Sequence, residues 1–457
     1  HRDLHSFPTR RSSDLILKKN FTFENQQNKT LFLTSMFQYN PEAPLLFTRP
    51  YFWIFLMAVY TGFIFLYKKR KLKITFLFLC SLFFYYKSGG YFFSLLLFST
   101  CTDYFIGIQI ARNQNPFPRK LFLTLSIAIN LGVLFYFKYA YFFAELISNL
   151  RGTEVQVTDY IAQLTNTLAG THFDIDDIIL PVGISFYTFQ TISYTVDVFR
   201  QKVEPVKSII DFGFYVSFFP QLVAGPIVRA AEFIPQLYKD FRLTREEFSV
   251  ALFLILNGLI KKILISDFIS VNFVDRVFES PQMYSGFENL MSLYGYSIQI
   301  YCDFSGYTDI AIGLGLLFGF RLPLNFNSPY KAVSISDFWR RWHISLSTWL
   351  RDYLYIPLGG NRISPIRTYT NLIVAMLLGG LWHGAALRFL IWGGLHGIAL
   401  ATDKFLNSVF HFHFKGYNWI SAFLTFHFVT FTWLFFRSPD VDRSEEHTSE
   451  LQSPNTI

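Results

Sequence analysis

The stretch GGLWHGAALRFLIWGGLHG, residues 379–397, is apolar enough to sit in lipid, yet it carries two titratable rings, His383 and His396. An imidazole without partners is expensive in hydrocarbon, so a membrane segment that keeps two must supply hydrogen bonds or a polar cavity. Six glycines in the same nineteen residues allow close approach of neighbouring chains. The fold therefore turns on whether the surrounding chain is also membranous.

It is. Of 457 residues, 51% are hydrophobic and 20% are Phe, Trp or Tyr, while only 16% are charged. Soluble domains carry about 25% charged residues. The apolar residues fall into blocks at Tyr51–Tyr67, Ile74–Tyr86, Tyr91–Ile110, Leu121–Phe143, Ala251–Ile265 and Phe389–Ala401, several flanked by Tyr or Trp as interfacial anchors are. The pattern predicts an all-α polytopic integral membrane protein of about ten transmembrane or re-entrant helices. The three cysteines, Cys80, Cys101 and Cys302, are scattered through apolar segments and read as small buried hydrophobes.

Residues 1–15 (HRDLHSFPTRRSSDL) and 443–457 (RSEEHTSELQSPNTI) are polar and aperiodic, unlike the chain between them. Both read as non-native, adapter-derived tails, leaving residues 16–442 as one integral membrane domain that lacks the last spans of a complete protein.

Basic residues in short loops set orientation. The densest cluster, KKRKLK (68–73), belongs in the cytoplasm, and the basic ARNQNPFPRK (111–120), two crossings later, falls on the same side. The segment 151–177 holds Glu154, Asp159, Asp174, Asp176 and Asp177 against one Arg and suits the outside. Two later runs depart from regular spans. LPVGISFYTFQTISYTVDVFRQK (180–202) is interrupted by Pro181, Gly183, Gln190 and Asp197, and so should face the bundle interior. FFPQLVAGPIVRA (218–230), with Pro220, Gly225 and Pro226, is either a broken element lining a cavity or a kinked helix.

The segment 321–370 is rich in Arg and Lys and is assigned to the cytoplasm. Within it, SISDFWRRWHISLSTWLRDYLYIPLGG predicts an amphipathic helix lying against the membrane, with Ser336 as N-cap and Asp337 in the first turn. Phe338, Trp342, Ser345 and Trp349 share one stripe at helical spacing, with Arg340, Arg341 and Arg351 elsewhere.

Three of the ten histidines sit where a reactive group is useful: His343 on that helix, and His383 and His396 around a membrane segment. A histidine near neutrality takes a proton from a hydroxyl and returns it, whereas its bland role is a hydrogen-bonded space filler. His383 stands out because Gly379, Gly380 and Gly384 let substrate or backbone approach its ring. His383 and His396 lie 13 positions apart, about 220° around a continuous helix, and so read as facing opposite ways. With no HExxH and no Cys/His cluster, no metal site is expected. No GK[ST] follows the glycines of GLGLLFGF (313–320), which read as helix packing, and no GxSxG is present. YCDFSGYTDIAIG (301–313) places Asp303, Ser305 and Asp309 in a membranous stretch, either to orient a histidine, to line a tunnel or to bond between helices.

Taken together, LPVGISFYTFQTISY, FFPQLVAGPIVR, YCDFSGYTDIAIGLGLLFGF, the SISDFWRRWHISLSTWLRDYLYIPLGG segment and GGLWHGAALRFLIWGGLHG resemble the membrane-bound O-acyltransferase family, in its bacterial alginate O-acetylation branch. The resemblance runs over nearly the whole chain between its ends. It implies His383 as the catalytic histidine and His343 as a second catalytic position; it gives His396 no comparable assignment, and that ring reads as structural support. It also implies a substrate-binding surface of Asp303, Asp337, Trp339, Arg340, Arg341 and Trp342. Further implied are an acyl thioester donor such as acetyl-CoA with no bound cofactor, a bacterial inner-membrane location, and an extracytoplasmic transferase as partner for a polysaccharide acceptor. D-alanyl transfer to teichoic acid from a carrier protein would use the same fold and histidine. A transporter with a histidine proton relay is the non-enzymatic alternative.

Overall fold

The structure, a computed structural model, describes residues 38–40, 43–169, 175, 178–410 and 418–438. The two terminal segments, and Asp174, Asp176 and Asp177 of the acidic loop, lie outside these. Every regular element among the described residues is helical.

The chain begins with four consecutive helices, α1 Pro50–Leu66, α2 Arg70–Gly89, α3 Phe93–Arg112 and α4 Pro116–Arg151. Pro50 and Pro116 open α1 and α4, where a missing N–H is harmless. Gly152 closes α4 at φ 66° with its N–H on Ser148 O, a left-handed cap. The 36 residues of α4 span about 54 Å, well beyond a hydrocarbon core of about 30 Å. Two helices separate residues 67–69 from 113–115, so the two basic loops share one end of the bundle. Arg119 at that end donates to Phe199 O at 2.6 Å, and Arg70 pairs with Asp211 at 3.5 Å.

Helix α5, Ile184–Phe199, is buried on nearly every side, which is why its polar residues are tolerated. The following run is broken, into Ile209–Ser217, Phe219–Leu222 and Ala230–Phe233. Backbone groups freed by the breaks find side chains: Phe219 N–H donates to Ser81 Oγ at 3.2 Å and Ile227 N–H to Ser345 Oγ at 3.0 Å. Irregular backbone at membrane depth survives only where protein satisfies it in this way.

Helix α6, Arg245–Leu259, starts from a Thr244/Glu247 capping box and continues through wide π-type turns to Glu279. Helix α7, Gly286–Leu317, starts from a Ser285/Glu288 box and packs along it. A Cβ on Gly313 would stand 2.7 Å from Ala251 O, so this glycine serves helix packing. Lys261–Asp309 at 2.7 Å and Lys262–Asp303 at 2.5 Å tie the pair.

The predicted single amphipathic helix is two short ones, α8 Ile335–Arg341 and α9 Ile344–Leu350. Its N-cap is Ser334, which accepts from Asp337 N–H at 3.1 Å, rather than Ser336. Trp342 is extended and His343 adopts φ 41°, in the left-handed region, which turns the chain. The stripe of Phe338, Trp342, Ser345 and Trp349 is buried within the protein instead of facing the membrane surface. Trp349 stacks on Phe189 of α5 at 3.8 Å, and Trp342 meets Trp433 at 5.0 Å. Beyond α9, Asp352 pairs with Arg229 at 2.7 Å and with Arg351 at 2.7 Å. Burial pushes the Asp352 carboxyl up, but hydrogen bonds from Arg351 and Arg229 outweigh this and hold it below the usual carboxylate range.

Helices α10 Pro365–His383, α11 Leu387–Phe410 and α12 Trp419–Arg437 complete the bundle. The helix expected to join His383 to His396 is interrupted at 384–386, so the two rings belong to neighbouring helices. Among the described residues, nine helical stretches of at least 16 residues result when Arg70–Arg112 is counted as one, and four of them, Arg70–Arg112, Pro116–Arg151, Arg245–Glu279 and Trp419–Arg437, are long and apolar enough to cross a membrane by length and composition. Helices α10 and α11 cross at glycine: a Cβ on Gly393 would stand 2.3 Å from Met376 O. Gly393→Val is expected to force them apart and destabilise the protein by about 1–3 kcal/mol, read as a lower thermal midpoint in detergent. Gly132→Ala, where nothing lies within 4 Å, should leave the midpoint in place.

Candidate active site

His383 is the last residue of α10, which therefore stops inside the bundle. Its neighbouring glycines admit protein: a Cβ on Gly384 would fall 1.9 Å from the Phe389 ring, and one on Gly380 would fall 2.2 Å from Phe389 O. Of the two readings open in the sequence, substrate approach or backbone approach, these glycines serve the close packing of α11 against α10.

His343 reaches the same place from the break between α8 and α9. The two imidazole centroids are 6.3 Å apart. Phe304 meets the His343 ring edge-on at 4.6 Å, and Trp392 and Phe436 meet His383 at 5.3 and 5.2 Å. Both histidines line one cavity of about 220 Å³, with Lys138, Asp303, Trp342 and Trp382 also in its wall. His343 is buried, and its Nε2 has no hydrogen-bond partner among the described residues. A ring nitrogen of this kind, at a cavity, is available for proton exchange with a bound group.

The polar wall is ordered by ion pairs and helix ends. Lys262 reaches Asp303 at 2.5 Å and Asp267 at 3.0 Å, so the Asp303 carboxylate is presented to the cavity already paired. Lys138, from α4, donates to Trp382 O and to Ser185 Oγ, the latter at 3.3 Å. Its neighbour Tyr139 donates to Leu381 O at 2.7 Å.

Of the eight site residues read from the sequence, the fold brings His343, His383, Trp342 and Asp303 to this cavity. The other four, on α8, do not line it. Trp339 is committed to His396, Asp337 holds Arg341 at 3.0 Å, and Arg340 is exposed. His396 is held at both nitrogens. Trp339 Nε1–H donates to Nδ1 at 3.2 Å, and Nε2 lies 3.0 Å from Thr432 Oγ1, whose hydroxyl donates to Val429 O at 2.7 Å. That chain of donors fixes the tautomer with the proton on Nε2. Lys138 and Lys262 were not singled out in the sequence, although a lysine in the middle of the apolar Leu121–Phe143 block was a visible signal.

Fold and site define a polytopic helical membrane protein that holds two histidines against one cavity. The chain belongs to the membrane-bound O-acyltransferase family, whose match covers residues 130–438, and it is an O-acyltransferase. It is 38% identical over 430 residues to a peptidoglycan O-acetyltransferase of Helicobacter pylori, covering 87% of this chain and 78% of that protein. It is 41% identical over 351 residues to a protein of Pseudomonas aeruginosa named "Probable alginate O-acetylase AlgI", covering 76% and 64%. A teichoic acid D-alanyltransferase of Bacillus subtilis is 29% identical over 279 residues, covering 56% and 68%. The chain thus spans just under two thirds of the alginate relative. Family membership selects the enzyme over the transporter reading.

If His396 is a support, Thr432→Val should cost stability by leaving its N–H buried without an acceptor. The expected loss is about 1–3 kcal/mol, measured by thermal unfolding in detergent.

Proposed function

We propose that this protein transfers an acetyl group from a cytoplasmic thioester, acetyl-CoA, towards hydroxyls of a cell-surface polysaccharide, with His383 as general base and His343 assisting. The observation that carries this reading is the pairing of His343 and His383 on one cavity. The acceptor oxygen attacks the thioester carbonyl while its proton passes to His383. A tetrahedral oxyanion forms, the C–S bond breaks, and the proton goes to the departing thiolate. His343, with its unpartnered Nε2, is placed to share that proton traffic. Trp342 and Asp303 are the cavity contacts of the substrates.

The basic end of the bundle supports donor entry from the cytoplasm of a bacterial inner membrane. Arg340 is exposed, and Arg341 is oriented by Asp337, so their guanidinium groups suit the phosphates of CoA. Trp339 and Asp337 serve this reading through His396 and Arg341. Acetyl transfer is favoured over D-alanyl transfer because the acetyltransferase relatives match at 38–41% and the D-alanyltransferase at 29%. Peptidoglycan or an alginate-like polymer is the acceptor class that the relatives' names support, with an extracytoplasmic transferase as the partner that completes delivery.

The test is acetyl incorporation from labelled acetyl-CoA by membranes containing the protein. His383→Ala should lose at least about 10²-fold in kcat, the scale of general acid–base catalysis, and His343→Ala a comparable or smaller amount. Wild-type activity in His383→Ala would refute the assignment.

A further inference from the structure

A helix that ends inside a membrane leaves its last four carbonyls without intrahelical partners and without water. Helix α10 is such a helix, and its final residue is His383. Gly384 continues as extended chain, so no left-handed cap closes the end. Two of the four carbonyls are taken by consecutive side chains of one helix, α4: Tyr139 Oη donates to Leu381 O at 2.7 Å, and Lys138 Nζ donates to Trp382 O. The ammonium also lies over the Trp382 indole at 5.7 Å and reaches Ser185 Oγ at 3.3 Å. A cation at a helix C-terminus is favoured by the aligned peptide dipoles, which helps to explain how a lysine that is 5% exposed is retained at this depth.

We propose that Lys138 and Tyr139 are positioning residues for His383: they clamp the C-terminal turn of α10 and thereby fix where the His383 ring stands in the cavity. This rests on the reading of His383 as the reactive base. The contacts are to the backbone one and two residues before His383, so loosening them moves the ring without removing it. A misplacement of about 1 Å costs a reaction about 10²-fold in rate.

Three variants test the clamp in membranes, with labelled acetyl-CoA as donor and His383→Ala alongside. Lys138→Met should lower kcat by about 10²-fold while KM for acetyl-CoA stays within about twofold, because Arg340 and Arg341, the groups proposed to hold the donor's phosphates, are untouched. Tyr139→Phe, which leaves the ammonium in place, should still fold, with a thermal midpoint lowered by the loss of one hydrogen bond, and should lower kcat by about tenfold. Lys138→Arg, which keeps charge and donor, should recover part of the rate lost in Lys138→Met. Should Lys138→Met fail to fold, Tyr139→Phe decides. Wild-type kcat in Tyr139→Phe, or in a folded Lys138→Met, overturns the clamp if His383→Ala is inactive. Full activity in His383→Ala instead overturns the reading of the base on which the clamp depends.

Discussion

The constraint on which this structure depends is that no backbone polar group can be left to water at membrane depth. Most of the helices satisfy it internally, but among the described residues the chain leaves the helix after Ser217, between α8 and α9 and after His383, and side chains answer the first and the last of these breaks. Ser81 and Ser345 serve the first, and Lys138 and Tyr139 the last. The breaks cost hydrogen bonds that only a folded bundle can return. The cavity exists because chain that cannot continue as helix must bend around something, and here it bends around the space between His343 and His383.

Charge follows the same rule. Asp103 in α3 is buried, yet its carboxylate accepts from Ser126 at 2.6 Å and from Asn130 at 2.7 Å, so it acts as a polar staple between α3 and α4. Lys261 and Lys262 each face an aspartate of α7. Breaking such a pair strands the other charge, so these contacts set the register of the helices more than they add to stability. Lys262–Asp303 differs from Lys261–Asp309 in opening onto the cavity and in the second carboxylate, Asp267, that Lys262 reaches.

Much of this was legible in the sequence, and the parts that were not have a common cause. Apolar blocks predicted the helices because a span needs about 20 apolar residues regardless of its neighbours. The Pro220–Pro226 break was legible because proline excludes a regular helix locally. His383 was legible as an oddity of composition. The turn at His343 was not, since no proline or glycine marks it: the left-handed backbone there is imposed by packing of Trp342 and Trp349 into separate parts of the core. Lys138 could be seen as out of place, but its partner Trp382 lies 244 positions away, and no local pattern joins them.

The same logic ranks the three histidines. Aromatic surroundings alone do not distinguish them, because rings pack against all three, with His343 and His396 buried and His383 half-buried. Availability does. His396 has both nitrogens engaged, one as acceptor from Trp339 and one as donor to Thr432, so proton exchange there would break two bonds that hold α8, α11 and α12 together. His343 keeps Nε2 unpartnered beside the cavity, and His383 shares the same cavity wall. A ring that must give and take protons cannot also be a fixed strut, and under the proposed function the two duties fall to different histidines.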